Sequence, residues 1–303
     1  MTETSVNIAG VALKNPVMNA SGTFSKEYAE HLDISSMGAV VTKGVSISPW
    51  DGNKPPRVAE TYGGMLNSIG IQNPGIDRFI SEELPFWKGF ETKIIVNVAG
   101  KTVDEYKEAV LRLNETQTDM LELNFSCPNV KEGGIAFGLH AKTIEKATRA
   151  IKRVAIKPII VKLSPNVADI AEMAAAAESG GADALSLINT LIGMRIDANA
   201  GRATLANTFG GLSGPAVKPV ALRMVYQASR AVKIPVIGMG GIADGDDAAE
   251  FIMAGASAVA VGTANFINKR AVADVADGIK SFMTRHAIRD IKGIQDFFKK
   301  DAV

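Results

Sequence analysis

Cys127 is the chain's one cysteine and sits in the segment Leu121-Glu122-Leu123-Asn124-Phe125-Ser126-Cys127-Pro128-Asn129. A thiolate can take a proton near neutral pH, where a hydroxyl cannot. The apolar residues Leu121, Leu123 and Phe125 predict a buried strand, and Pro128, which has no N–H for a sheet ladder, predicts its end. Free cysteines are usually buried as small hydrophobes. Here the strand-end position, the polar neighbours and the following Asn129-Val130-Lys131-Glu132-Gly133-Gly134 loop favour chemistry instead.

Other apolar runs end in polar residues in the same way: Ser21, Lys43, Asn97, Asn124, Lys162 and Asn189-Thr190. Amides and ammonium groups with one thiol suit a planar ligand rich in carbonyls, and no carboxylate cluster marks a divalent metal. Lys162 lies between Val161 and Leu163, so its charge needs an anionic partner. A reduced flavin, negative near N1, is one. Glu122 reads as structural, paired behind the wall formed by its strand. Two glycine turns, Gly238-Met239-Gly240-Gly241-Ile242 and Val261-Gly262-Thr263-Ala264, have the form of a phosphate cradle, with Gly211-Leu212-Ser213-Gly214 as a further source of donors. That end alone fits a sugar-phosphate isomerase or lyase as well as a flavin enzyme.

The elements that position these groups are short Val/Ile-rich runs: Pro16–Asn19, Ala39–Lys43, Ile94–Val98, Met120–Ser126, Ile159–Leu163, Ala184–Asn189, Pro235–Met239 and Ala258–Val261. Without strict alternation, they suit strands buried on both faces. Helices are predicted over Thr102–Leu113, Asn166–Ser179 with Asn166 as cap, Pro215–Ala231 and Asp244–Ala254. Eight strands alternating with helices predict an α/β protein, a (β/α)₈ TIM barrel. The competing doubly wound sheet lacks its Gly-x-Gly-x-x-Gly turn after the first strand. Residues 5–14 predict a hairpin plugging the barrel floor, and inserts at Ser46–Asn73 and Gly193–Gly214 fall on the catalytic face. A single domain over 1–303 is expected.

Lys plus Arg number 33 and Asp plus Glu 32, a balance that argues against a nucleic-acid footprint. One cysteine excludes an internal disulfide and a four-cysteine iron–sulfur cluster within the chain. The start Met1-Thr2-Glu3-Thr4-Ser5 lacks a signal-peptide pattern, and no apolar run approaches the ~18 residues of a membrane span. A cytoplasmic protein is expected, with no membrane and no nucleic-acid partner.

These blocks together resemble the dihydroorotate dehydrogenase family, class 1. The resemblance runs from Asn19-Ala20-Ser21-Gly22-Thr23-Phe24 and Lys43-Gly44 through Gly64–Gly75, Asn124–Gly134 and Val161–Asn166. It continues through Ile188-Asn189-Thr190 and Gly210–Pro215 to Gly240-Gly241 and Gly262-Thr263. It implies bound FMN and oxidation of dihydroorotate to orotate in pyrimidine (UMP) synthesis. By it, Cys127 is the general base. Lys43, Asn67, Ser68, Ile69, Gly70, Ile71, Asn124, Asn189 and Thr190 bind substrate. Ser21, Lys43, Gly44, Asn97, Asn124, Lys162, Ile188, Gly214, Gly240, Gly241, Gly262 and Thr263 bind FMN. The run Asn129–Gly138 looks like class 1B, in which a partner subunit carrying FAD and a 2Fe–2S cluster passes electrons to NAD⁺. That class implies a homodimeric core within a heterotetramer. The fumarate-reducing class 1A type and a dihydropyrimidine dehydrogenase-like enzyme are the alternatives. One departure is Ser25-Lys26-Glu27, in place of a glycine-aromatic stretch.

Overall fold

The structure, a computed structural model, describes residues 2–29, 33–125 and 137–298. Eight parallel strands close into a barrel in chain order: β1 (Val17–Asn19), β2 (Ala39–Val41), β3 (Lys93–Val98), β4 (Met120–Asn124), β5 (Ile159–Lys162), β6 (Ala184–Leu187), β7 (Val236–Met239) and β8 (Ala258–Val261). Each lies within or beside one of the eight predicted runs. Along every strand, alternate residues face the helices and the lumen. Val40, Val96, Leu121, Val161, Leu185 and Val259 pack outward in the main core. Met18, Val41, Ile95, Met120, Ile160, Ala184 and Ile237 pack inward. Both faces are therefore apolar, which is why the runs do not alternate in sequence.

Helices α1 (Val103–Asn114), α2 (Ala141–Lys152), α3 (Ile170–Ser179), α4 (Lys218–Ala231), α5 (Gly245–Met253) and α6 (Ala271–Arg285) cover the outer face. Thr102 caps α1 by accepting from the Glu105 N–H, and Asp244 caps α5 through the Asp247 N–H. The expected cap of α3 is corrected. Asp169, not Asn166, accepts from the Ala171 and Glu172 N–H groups. The Asn166 amide is engaged elsewhere, donating to the Thr190 carbonyl and accepting from the Ile192 N–H. Pro215 opens a 3₁₀ turn, Pro215–Val217, and α4 follows from Lys218.

The expected hairpin pairs Val6–Ile8 with Val11–Leu13, antiparallel. Ile8 and Leu13 are fully buried against the inward-facing strand residues. Burial of this kind contributes about 1.5–3 kcal/mol per side chain and closes the amino-terminal end of the lumen. At the carboxyl end the two long inserts interlock. Val58–Thr61, Gly64–Asn67, Leu191–Met194 and Phe209–Ser213 form one antiparallel sheet in which Leu66 pairs with Leu212. The sequence placed these inserts at the mouth without showing that they pair. Among the described residues no helix is long and apolar enough to cross a membrane.

Candidate active site

Two residues further along the strands from the dry floor, the lumen turns polar. Ile95 gives way to Asn97, Met120 to Glu122, Ile160 to Lys162 and Ala184 to Ser186, all on the inward parity. Glu122 is 2% exposed. Its Oε2 accepts from Asn97 Nδ2 at 2.5 Å and its Oε1 from Ser186 Oγ at 2.7 Å. Lys162 Nζ lies 3.7 Å from Oε2. The expectation that Glu122 pairs behind the wall is therefore corrected. It shares a face with Asn124, and the outward positions beside it are taken by Leu121 and Leu123.

Above this layer opens a cavity of about 1040 Å³ at the carboxyl ends of the strands. Of the residues expected to bind substrate or cofactor, Ser21, Lys43, Asn67, Ile69, Lys162, Ile188, Asn189, Thr190, Gly214, Gly240, Gly241, Gly262 and Thr263 line it. The strand ends aim them there. Ser21 Oγ donates to the Thr42 carbonyl at 2.8 Å, and Asn189 Nδ2 donates to Asn124 Oδ1 at 3.4 Å. Gly22, at φ +80°, makes room for Lys43, since a Cβ there would lie 3.2 Å from the Lys43 ammonium.

Others stand back from the cavity. Ser68 is fully buried with its N–H on the Arg57 carbonyl, and Asn53 Nδ2 donates to the Ser68 carbonyl. Gly70 packs on Asn53, and Ile71 lies beside Gly44. Asn97 and Gly44 sit under the cavity, and Asn124 reaches it through Asn189. Cys127 lies outside the described residues. The sequence reading missed Met65, Leu212 and Met239, which supply apolar wall, and Phe266 at the rim. It had Ser213 only as a general donor; its Oγ accepts from Thr263 Oγ1 at 2.8 Å. Met239 and Leu212 adjoin glycines already singled out, and that adjacency was the available signal.

The phosphate-like end is built on close approach. Gly240 has φ +130°, and a Cβ there would lie 2.6 Å from the Ala221 Cβ of α4. Below Gly241, Lys218 donates to Asp247 at 2.5 Å and Glu250 at 3.0 Å. Burial works to lower the Lys218 pKa, but the hydrogen bonds and charges of Asp247 and Glu250 outweigh it and raise it. At the outer rim Arg78 pairs with Glu82 at 2.9 Å, and that hydrogen bond raises the guanidinium and lowers the carboxyl.

Two features, one in the lining and one beneath it, leave a role for a bound group such as FMN. Gly262 carries no left-handed φ, and a Cβ there would meet only Ala20 at 3.6 Å, an ordinary contact. Packing does not demand glycine at that point, so the space it leaves serves whatever fills the cavity. Asn97 Oδ1, fully buried and beside the Gly44 Cα, has no hydrogen-bond partner among the described residues. Such an orphan acceptor is costly unless a ligand donor meets it.

Residues 3–283 match the family model described as dihydroorotate dehydrogenase. The chain belongs to the dihydroorotate dehydrogenase family. It is thereby an oxidoreductase. Among curated members of that family, the chain is 60% identical over 292 residues to the "Dihydroorotate dehydrogenase B (NAD(+)), catalytic subunit" of Alkaliphilus metalliredigens, covering 96% of this chain and 97% of the relative. The protein of the same name from Lachnoclostridium phytofermentans is 62% identical over 293 residues, 96% and 98% of the two chains. A third, from Alkaliphilus oremlandii, is 57% identical over 291 residues, 95% and 96% of the two. Near-complete coverage places the hairpin, the barrel and both inserts of the dihydroorotate dehydrogenase chain inside the likeness.

Proposed function

We propose that this chain is the catalytic subunit of an NAD-linked dihydroorotate dehydrogenase, oxidising dihydroorotate to orotate in pyrimidine synthesis. The observation that carries the reading is the convergence of Lys43, Lys162, Asn189 and Thr190 on one cavity with Gly240-Gly241 and Gly262-Thr263. When bound there, FMN supplies a two-electron acceptor for hydride. Gly214, Gly240, Gly241, Gly262 and Thr263 would hold its phosphate end, with Ser21, Gly44, Asn97, Lys162 and Ile188 around the ring system. Lys43 and Asn124 would face both flavin and substrate.

Asn189 and Thr190, with Asn67 and Ile69, would orient the pyrimidine carbonyl and amide groups, and Ser68, Gly70 and Ile71 would hold that loop from behind. Cys127, as thiolate, would take the proton from C5 while C6 gives up hydride, so two electrons and two hydrogens leave the substrate as the C5–C6 double bond forms. The ammonium groups of Lys43 and Lys162 would offset the negative charge that accumulates around the site.

The chain's one cysteine cannot make a four-cysteine cluster. Electrons would therefore leave through a partner subunit carrying FAD and a 2Fe–2S cluster, to NAD⁺, a reading supported by the NAD(+) and catalytic-subunit names of the relatives. A single domain over 1–303, a homodimeric core within a heterotetramer, and a cytoplasmic location complete the proposal. The test is to purify the chain alone, record its visible spectrum without oxygen and add dihydroorotate. A yellow protein that bleaches is the expected result. A colourless protein that takes up no FMN overturns it, and reoxidation by fumarate would replace the NAD-linked branch with a fumarate-linked one.

A further inference from the structure

Glu122 has no place in the reaction as written, yet it is a carboxylate with almost no solvent contact at the base of the cavity. Burying a charge costs several kcal/mol unless partners compensate it. Its partners are Asn97, Ser186 and Lys162, three inward-facing groups from three neighbouring or near-neighbouring strands. Both oxygens are held by these neighbours. Lys162 in turn has one face on Glu122 and the other on the cavity. The side chains of the pair are only 3% and 6% exposed, so solvent screens neither charge from an occupant above.

We infer that Glu122 is a positioning residue that sets the reduction potential of the flavin by neutralising Lys162 from below, an inference that rests on the flavin reading of this cavity. Hydride arriving at the flavin N5 brings two electrons and one proton, and leaves one negative charge on the ring. A bare Lys162 ammonium would stabilise that charge strongly. With Glu122 beneath it the Lys162–Glu122 pair is neutral before reduction, its stabilisation is partial, and the flavin gives its electrons up more readily. Asn97 and Ser186 hold the carboxylate so that the charge does not wander toward the cavity.

Sulfite reads the same quantity without turnover. Its electron pair forms an N5–S bond on oxidised flavin and puts a negative charge on the ring, as hydride does. Glu122→Gln removes the neutralising charge, so sulfite should bind about tenfold more tightly, from the interaction of unit charges at partial screening. The midpoint potential, titrated against a reference dye, should rise correspondingly, by about 30 mV for a two-electron couple. Lys162→Met should shift both readouts the opposite way. The double variant Glu122→Gln with Lys162→Met restores a neutral pair of side chains at this point and should return both close to the starting values. It contains no unpaired buried charge, so it reports even if Glu122→Gln alone fails to fold. A yellow Glu122→Gln protein with unchanged or weaker sulfite binding, or a double variant that behaves like Lys162→Met alone, overturns the inference. A parent protein that holds no FMN overturns the flavin reading itself, and the two failures are told apart by the visible spectrum.

Discussion

At one end of the lumen Ile95, Met120, Ile160 and Ala184 close on Ile8 and Leu13; at the other, Asn97, Glu122, Lys162 and Ser186 carry charge and hydrogen bonds. The same four strands make both ends, and a step of two residues, about 6.6 Å, separates them. Because parity is kept, the change is one of side chain and not of backbone. The floor can be optimised for packing while the mouth carries groups that packing alone would reject. The division predicts that substitutions at the floor cost stability and spare chemistry, and that substitutions at the mouth do the reverse.

The largest expected effect is at Cys127, the base of the proposed reaction. Cys127→Ala should lower the rate of flavin bleaching by dihydroorotate by about 10²–10⁴-fold with FMN content and melting temperature retained. Near-normal bleaching in stopped flow would remove the proposed base. Cys127→Ser should recover activity only as the pH is raised, since a hydroxyl gives up its proton far less readily than a thiol. At the floor, Leu13→Ala leaves a void under the barrel and should cost about 2–5 kcal/mol in chemical denaturation. Bleaching by dihydroorotate at 25 °C should be unaltered, and a matching loss of rate would break the division between the two ends.

Gly240→Ala tests the boundary between them. A side chain at φ +130°, with Ala221 in its way, should cost about 1–3 kcal/mol and also reduce FMN retained through gel filtration. Full flavin retention would mean that the turn serves packing only. The smallest effect belongs to Lys218, outside the lumen. Its pKa is raised in the folded protein, so its contribution is fully present below the ordinary lysine value and is lost as pH climbs through the folded one. Lys218→Met should therefore lower the unfolding free energy at pH 8 by about 1 kcal/mol or less, and the gap should close above about pH 10.5. A gap that widens with pH would contradict the raised value.

All eight barrel strands were legible because each is a short, mostly apolar run, and that richness follows from burial on both faces. The mouth sheet was not. Val58–Thr61 is exposed at alternate positions and pairs only within the inserts, so neither run length nor composition marks it. Thirteen of the expected binding residues line the cavity, because polar residues at strand ends share one direction. Glu122 was read as a structural residue paired behind the wall because it lies inside its strand, whereas counting two residues to Asn124 puts it in the lumen. Asn166 looked like a helix cap by type and place, yet Asp169 lies nearer the first turn of α3 and takes the role.

The pairing of Leu66 with Leu212 also orders events in time. Translation at about 5–20 residues per second leaves the earlier strand waiting on the order of ten seconds for its partner. During that interval the chain has its first barrel strands but no rim, and so no completed place for a flavin to settle. A ribosome-arrested chain ending before Phe209 should accordingly hold no FMN, while one long enough to expose β8 should. On the proposed flavin reading, loading of the cofactor would be a late act in the life of each molecule, waiting both for this pairing and for the glycine turns that follow it.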